Sequence, residues 1–305
     1  IRKKIKKFII SNSIKHIHAS SSNNLIFLSN KWGITISCNQ HGAFEKKNFK
    51  FYLNFLQKHS CRNIIKSIIS NFLLFNFNKA SLIICSGKDA ENTCRESYKV
   101  PKKKIITLFN VANLDLTNLI NIKKDLKIEN IKKIIIGIGR IQKDKGVEDF
   151  CKIAEMFSNN KNLKFVYVGP KISGEYSNKI IKKYRHIVDF IGIRNDINNL
   201  LYSSEILLHL SHRESFPQII LESMSIPTIP ITWKTIGCNE VIIDNYNGIS
   251  CKFGNYEMVF NAINNVLEDK ILNNKLKRNS KDFVKKYTIS NLVDAYILNV
   301  FKHTL

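Results

Sequence analysis

Apolar residues along this chain fall into short continuous runs, separated by longer stretches in which they recur at helical spacing. Ser81-Leu82-Ile83-Ile84-Cys85 and Ile134-Ile135-Ile136-Gly137-Ile138-Gly139 are runs of the kind a strand buried on both faces produces. After Gly146, the residues Val147, Phe150, Cys151, Ala154 and Phe157 share one helical face, and the strand Lys164 to Gly169 follows. Further strands are predicted at 188–191, 205–210, 228–232 and 248–251, with helices near Asp196, Phe216, Tyr256, Ile271 and Ile289. Towards the start, Lys15 to Ala19, Leu25 to Leu28, Gly33 to Cys38 and Val100 to Phe109 read as strands. Ile5, Phe8 and Ile9 suggest a short basic helix, and 48–78 a long helical region.

Strands alternating with helices of this length predict parallel sheets with crossover helices, an α/β chain. Its 305 residues suit two domains of about 100–200 residues each. Residues 110–131 are polar, rich in Asn and Lys and without clear period, and so mark the junction. The expected organisation is a first doubly wound unit over 1–120, a linker over 121–131, a second unit over 132–286 and a terminal helix within 287–305.

Composition narrows the picture a little. The chain is 44% apolar and 24% charged with 12 Gly and 5 Pro, which excludes collagenous, mucin-like and disordered chains. Its net charge of +24 suits nucleic acid, anionic lipid or a phosphorylated substrate, but Lys, Asn and Ile recur everywhere, so most of the excess reads as background. The seven cysteines are odd in number and contain no CxxC, which points to reduced, buried thiols in a cytoplasmic protein and to no zinc. No stretch reaches the ~18 apolar residues of a membrane span. The chain begins with Ile rather than Met, and the expectation is a chain that lacks its start.

In open parallel sheets ligands sit where strands feed helix amino termini, so the turns after strands are where chemistry is expected. One such turn is Gly139-Arg140-Ile141-Gln142-Lys143-Asp144-Lys145-Gly146, with cations beside a helix start. It is neither a Walker loop nor GxGxxG in register, and taken alone it reads equally as an ordinary basic turn. A second is His212 to Met224, in which seven residues separate Glu214 from Glu222. With a helix starting near Phe216 and Pro217, Glu222 falls about two turns inside it and Glu214 in the entering loop.

These two segments, with Asp189 to Gly192, Asn195 to Ile197, Ile236 to Glu240 and Asn247-Gly248, resemble in order and spacing the carboxyl-terminal half of retaining nucleotide-sugar glycosyltransferases of family 4, over about 131–285. His16 to Ala19, His41-Gly42, Leu82 to Ser86 and Leu108 to Val111 resemble the amino-terminal half more weakly. The resemblance implies the GT-B fold: two Rossmann-like doubly wound domains facing each other across a cleft, here with the first truncated at its start and the last helix, 289–303, crossing back to it. It further implies that Arg140 and Lys145 hold the donor diphosphate and stabilise the departing nucleotide. Gly139 opens that turn. Glu222 meets the ribose hydroxyls, and Glu214, with the amides of Ser215 and Phe216, faces sugar or phosphate. The backbone at Ile193 and Arg194 meets the base, and His41 faces the transferred sugar.

The implied partners are a nucleotide-sugar donor, UDP- or GDP-linked, and a saccharide or lipid-linked acceptor in polysaccharide or lipopolysaccharide synthesis. No metal or cofactor and no nucleic acid are expected, and contact with an anionic membrane surface at the inner face of the cytoplasmic membrane is. Two departures stand out: Pro227 where such enzymes have Gly, expected to distort the turn before Thr228, and Cys238 in place of the second Gly of a pair. The competing readings are a catalytically inactive nucleotide-binding remnant of the fold and a basic nucleic-acid-binding protein. The latter lacks a helix-turn-helix, zinc-finger or RNP signature.

Overall fold

The computed structural model describes residues 16–19, 35–40 and 80–301, apart from 113–115, 117, 127, 129–132 and 173. The segments read as 5–9, 25–28 and 48–78 lie outside these residues, as does His41. The chain divides into two compact units, one of Ile1–Phe109 with Leu292–Leu305, the other of Asn110–Asn291.

The first unit carries a four-stranded sheet in the order β1 (His16–Ala19), β2 (Thr35–Gln40), β3 (Leu82–Cys85) and β4 (Ile105–Thr107), every pairing parallel. The continuous apolar run at β3 has its expected cause, because both faces are covered. Ile83 and Cys85 pack with Ala90, Cys94 and Val100 around α1 (Lys88–Asn92), while Leu82 and Ile84 meet Ile106, Leu108 and Tyr296. Tyr296, the last residue of the helix 289–296, packs on that face of the sheet.

The second unit is a six-stranded parallel sheet. Along the chain come β5 (Lys133–Ile138), α2 (Val147–Met156), β6 (Leu163–Val168), α3 (Glu175–Tyr184), β7 (Val188–Gly192), α4 (Ile197–Tyr202), β8 (Ile206–His209), α5 (Gln218–Ser225), β9 (Ile229–Trp233), α6 (Ile236–Val241), β10 (Ile249–Cys251), α7 (Tyr256–Glu268) and α8 (Lys270–Val284). α9 (Ile289–Tyr296) follows. The strand order is β10-β9-β8-β5-β6-β7. Phe150 of α2 meets Phe165 and Tyr167 of β6 edge to face, at 5.7 and 5.3 Å between centroids, and Trp233 is fully buried.

Among the described residues, three α-helices escaped the sequence reading: α1, α3 and α6. In α3 only Ser177, Ile180 and Tyr184 are buried, too sparse a stripe to stand out among lysines and asparagines. The other two are five and six residues long. The turn at Pro227 is not disrupted. Thr228 N–H donates to the Ile226 carbonyl at 2.6 Å, a three-residue turn centred on proline, whose fixed φ suits it. Thr228 Oγ1 then donates to the Leu201 carbonyl and anchors the start of β9.

Candidate active site

From β5 the chain steps outward through β6 and β7, then returns to the other side of β5 and runs outward through β8, β9 and β10. The direction of winding reverses between β5 and β8, so their carboxyl ends open the crevice where such sheets bind ligands. The turn 139–146 leaves β5, and the turn 210–217, which holds the start of the second segment singled out in the sequence, His212 to Met224, leaves β8.

Glycine allows the turns to meet. Gly146 takes a left-handed conformation, φ 65°, and a Cβ there would lie 1.8 Å from the Leu210 carbonyl oxygen. The Asp144 carbonyl accepts from His212 N–H at 2.9 Å and from Ser211 Oγ at 3.2 Å. On the far side α6 presses in at Gly237, where a Cβ would stand 2.2 Å from the Glu214 carbonyl oxygen.

Within this frame Lys145 Nζ donates to Glu214 Oε1 at 2.7 Å. His209, the last residue of β8, places Nε2 3.3 Å from the same oxygen. The Glu214 side chain is only 16% exposed. Burial by itself raises its carboxyl, but the His209 imidazole and the Lys145 ammonium more than reverse this and hold it at about 2, well below the ordinary carboxylate range. Glu214 is therefore ionised at any ordinary pH.

Ser215 Oγ and Gln142 Oε1, in the turns that follow β8 and β5, are buried without a hydrogen-bond partner. Unsatisfied buried groups cost about 1–3 kcal/mol each, a penalty that a polar ligand seated here would relieve. His209 was not read from the sequence as a site residue. It is a polar residue ending an otherwise apolar strand two places before Ser211, and that is the signal that could have found it.

The remaining candidates divide. Gly139 and Arg140 follow β5 directly, and Arg140 is exposed. Phe216 is buried against Tyr287, and its carbonyl accepts from Asn110 Nδ2 at 3.1 Å. Glu222 lies on α5, but that helix starts at Gln218, so Glu222 is one turn inside rather than two. Its Oε1 accepts from Gln218 Nε2 at 3.0 Å, and burial raises its carboxyl against that bond. Ile193, 72% exposed, follows β7. Arg194 turns back onto Asp196, with bonds of 2.8 and 2.6 Å from Nε and Nη2, so its backbone rather than its charge is offered. Thus the structure joins Lys145 to Glu214, and it records no contact from Arg140 or Glu222 to that pair. Cys238 is fully buried, its thiol pushed up to about 12, so it acts as packing in α6.

Among the described residues no group of three or more His, Cys, Asp or Glu is arranged to hold a metal, and no helix is long and apolar enough to cross a membrane.

An N-acetyl-alpha-D-glucosaminyl L-malate synthase of Bacillus anthracis is 26% identical over 239 residues, 75% of this chain and 61% of the relative. An N,N'-diacetylbacillosaminyl-diphospho-undecaprenol alpha-1,3-N-acetylgalactosaminyltransferase of Campylobacter jejuni is 25% identical over 260 residues, 84% of this chain and 65% of the relative. The chain therefore spans less than two thirds of the length of these two proteins. Among solved structures, Anabaena HepE in complex with UDP superposes with a TM-score of 0.79 at 15% identity, covering 98% of this chain and 81% of the other. At that identity the likeness concerns the fold, two Rossmann-like domains of the GT-B type. The family described as glycosyl transferases group 1 matches residues 119–283, more than half of the chain and all of the crevice just described, and the chain belongs to that family.

Proposed function

We propose that the chain is a retaining, metal-independent glycosyltransferase that moves a sugar from a UDP- or GDP-linked donor to a saccharide or lipid-linked saccharide acceptor, in the synthesis of cell-surface polysaccharide or lipopolysaccharide. The observation that carries this reading is the ion pair of Lys145 with Glu214 at the point where the winding of the sheet reverses, beside buried polar atoms that lack partners. Cleaving a sugar from a nucleoside diphosphate builds negative charge on the β-phosphate and positive charge on the anomeric carbon. An ammonium held in place by a permanently ionised carboxylate meets the phosphate without having to reorganise, which favours the transition state over the ground state. Arg140, exposed on the same turn, supplies the second cation.

Glu214 then faces the donor sugar with Ser215, and Glu222 accepts from the ribose hydroxyls. The backbone at Ile193 and Arg194 receives the base, and His41 faces the transferred sugar. The leaving phosphate takes the acceptor proton, with attack on the face it vacates. The names of the two relatives, one an N-acetylglucosaminyl and the other an N-acetylgalactosaminyl transferring enzyme, support a sugar donor. We place the protein in the cytoplasm, peripheral at the inner membrane face, because a lipid-linked acceptor resides there.

Calorimetry with UDP, GDP and their sugars on the intact chain, followed by turnover with a polyprenyl-diphosphate saccharide, tests the proposal. The expected result is micromolar binding of one nucleotide, lost in Arg140→Ala/Lys145→Ala, together with sugar transfer. Binding without release or transfer of sugar identifies an inactive remnant. No nucleotide binding rejects the reading outright.

A further inference from the structure

A second cross-link joins the same two turns, and nothing in the donor chemistry uses it. Asp149 stands on the first turn of α2, four residues beyond Lys145, and is 8% exposed. His212 lies two residues before Glu214. His212 Nε2 and Asp149 Oδ2 are 2.8 Å apart. Asp149 is fixed from two other elements as well: Tyr256 Oη donates to Oδ1 at 2.6 Å and Trp233 Nε1 to Oδ2 at 3.3 Å. The His212 ring is in turn held edge-on to Phe253 at 5.2 Å, and Phe253 packs against Trp233 at 5.7 Å.

We propose that Asp149 and His212 are a positioning pair that holds turns 139–146 and 210–217 in register, and thereby sets the placement of Lys145 against Glu214. The arrangement is a ladder with two polar rungs. Lys145–Glu214 at 2.7 Å is the inner rung and Asp149–His212 at 2.8 Å the outer one, with the Asp144 carbonyl accepting from His212 N–H and Ser211 Oγ between them. The inner rung cannot secure the turns alone while it serves a ligand, because the Lys145 ammonium, though it stays in place, then exchanges part of its hold on Glu214 for a phosphate. The outer rung keeps the turns together during that exchange. Asp149 suits the task because its two oxygens are already tied to β9 and α7 through Trp233 and Tyr256, so its position owes nothing to His212. His212 is the part free to matter: its side chain is 32% exposed and can be replaced without opening a core cavity.

For its kinetic consequence the inference rests on the transferase reading; its structural consequence is independent of that reading. His212→Leu removes the rung and keeps bulk, while His212→Gln restores a side-chain N–H donor to Asp149. In the ligand-free chain, amide exchange of peptides covering 140–146 and 211–216 is expected to speed up about tenfold in His212→Leu and to stay at the native rate in His212→Gln. With donor and acceptor, His212→Leu is expected to lose about tenfold in kcat with donor KM changed by less than about threefold, and His212→Gln to recover most of the loss. His212→Ala is the second variant if Leu at the rim lowers the unfolding midpoint. Unchanged exchange in the Leu and Ala variants overturns the proposal, as does faster exchange with native kcat, which reduces the pair to a stabilising contact. A wild-type chain that turns over no donor counts against the transferase reading alone, and the exchange measurement then decides this one.

Discussion

Glu214→Gln separates the electrostatic account of the site from a merely packed one. In the folded chain the Glu214 carboxyl titrates at about 2 against an ordinary 4.5, under the influence of burial, His209 and Lys145. That difference is worth about 3 kcal/mol of stability at neutral pH, and because the side chain is well buried, little of it is lost to solvent screening. As pH falls, the unfolded chain takes up the proton before the folded one does. The contribution is therefore complete above the unfolded value of 4.5 and drains away as pH drops through about 2. About 2 kcal/mol of it is gone by pH 3. Glutamine keeps the shape and cannot titrate, so the variant is less stable at pH 7, with Lys145 left half-buried and unpaired, but its stability depends less on acid. Urea unfolding followed by tryptophan emission in Trp32→Phe backgrounds, which leave Trp233, fully buried in the same unit, as the reporter, reads both chains at pH 7 and pH 3. The wild type should lose about 2 kcal/mol more than Glu214→Gln over that interval. Equal losses would refute the claim that this carboxylate is held ionised by its neighbours.

Other outcomes follow from the same geometry. Arg140→Ala, at an exposed position, should leave the unfolding midpoint within about 1 °C of wild type and lower kcat by about a hundredfold with donor KM changed little, read in a coupled nucleotide-release assay. Glu222→Ala should weaken nucleotide binding by about tenfold or more in calorimetry, and binding to the wild type should itself weaken in acid, since burial raises this carboxyl and its protonation removes an acceptor. Gly237→Ala should cost about 2 kcal/mol or more in urea unfolding, because its Cβ would stand 2.2 Å from the Glu214 carbonyl oxygen and drive α6 away from the site.

Much of this protein was legible in its sequence, for reasons that differ from one feature to the next. Strands such as Leu82–Cys85 and Lys133–Ile138 announced themselves because a parallel strand covered on both faces must be apolar at nearly every position. The helix at Val147–Met156 did so through its one-sided stripe. The segments 139–146 and 212–224 stood out because their order and spacing resemble a family to which the chain belongs. Helix α3 was hidden because its buried stripe is only three residues, Ser177, Ile180 and Tyr184, and α6 because it spans six residues.

What the sequence by itself determined was the strands and the strongly periodic helices, since periodicity is a local property, and which residue types stand at the ends of β5 and β8. Only the tertiary structure decided their company. Lys145 and Glu214 are 69 residues apart in the chain, and no local pattern makes them a 2.7 Å ion pair; the reversal of winding between two neighbouring strands does. His209 and Asp149 belong to the same lesson. One ends a buried strand and the other opens a helix, and each gains its role from a neighbour that the fold alone delivers, because charge and hydrogen bonding act through distance in space and not along the chain.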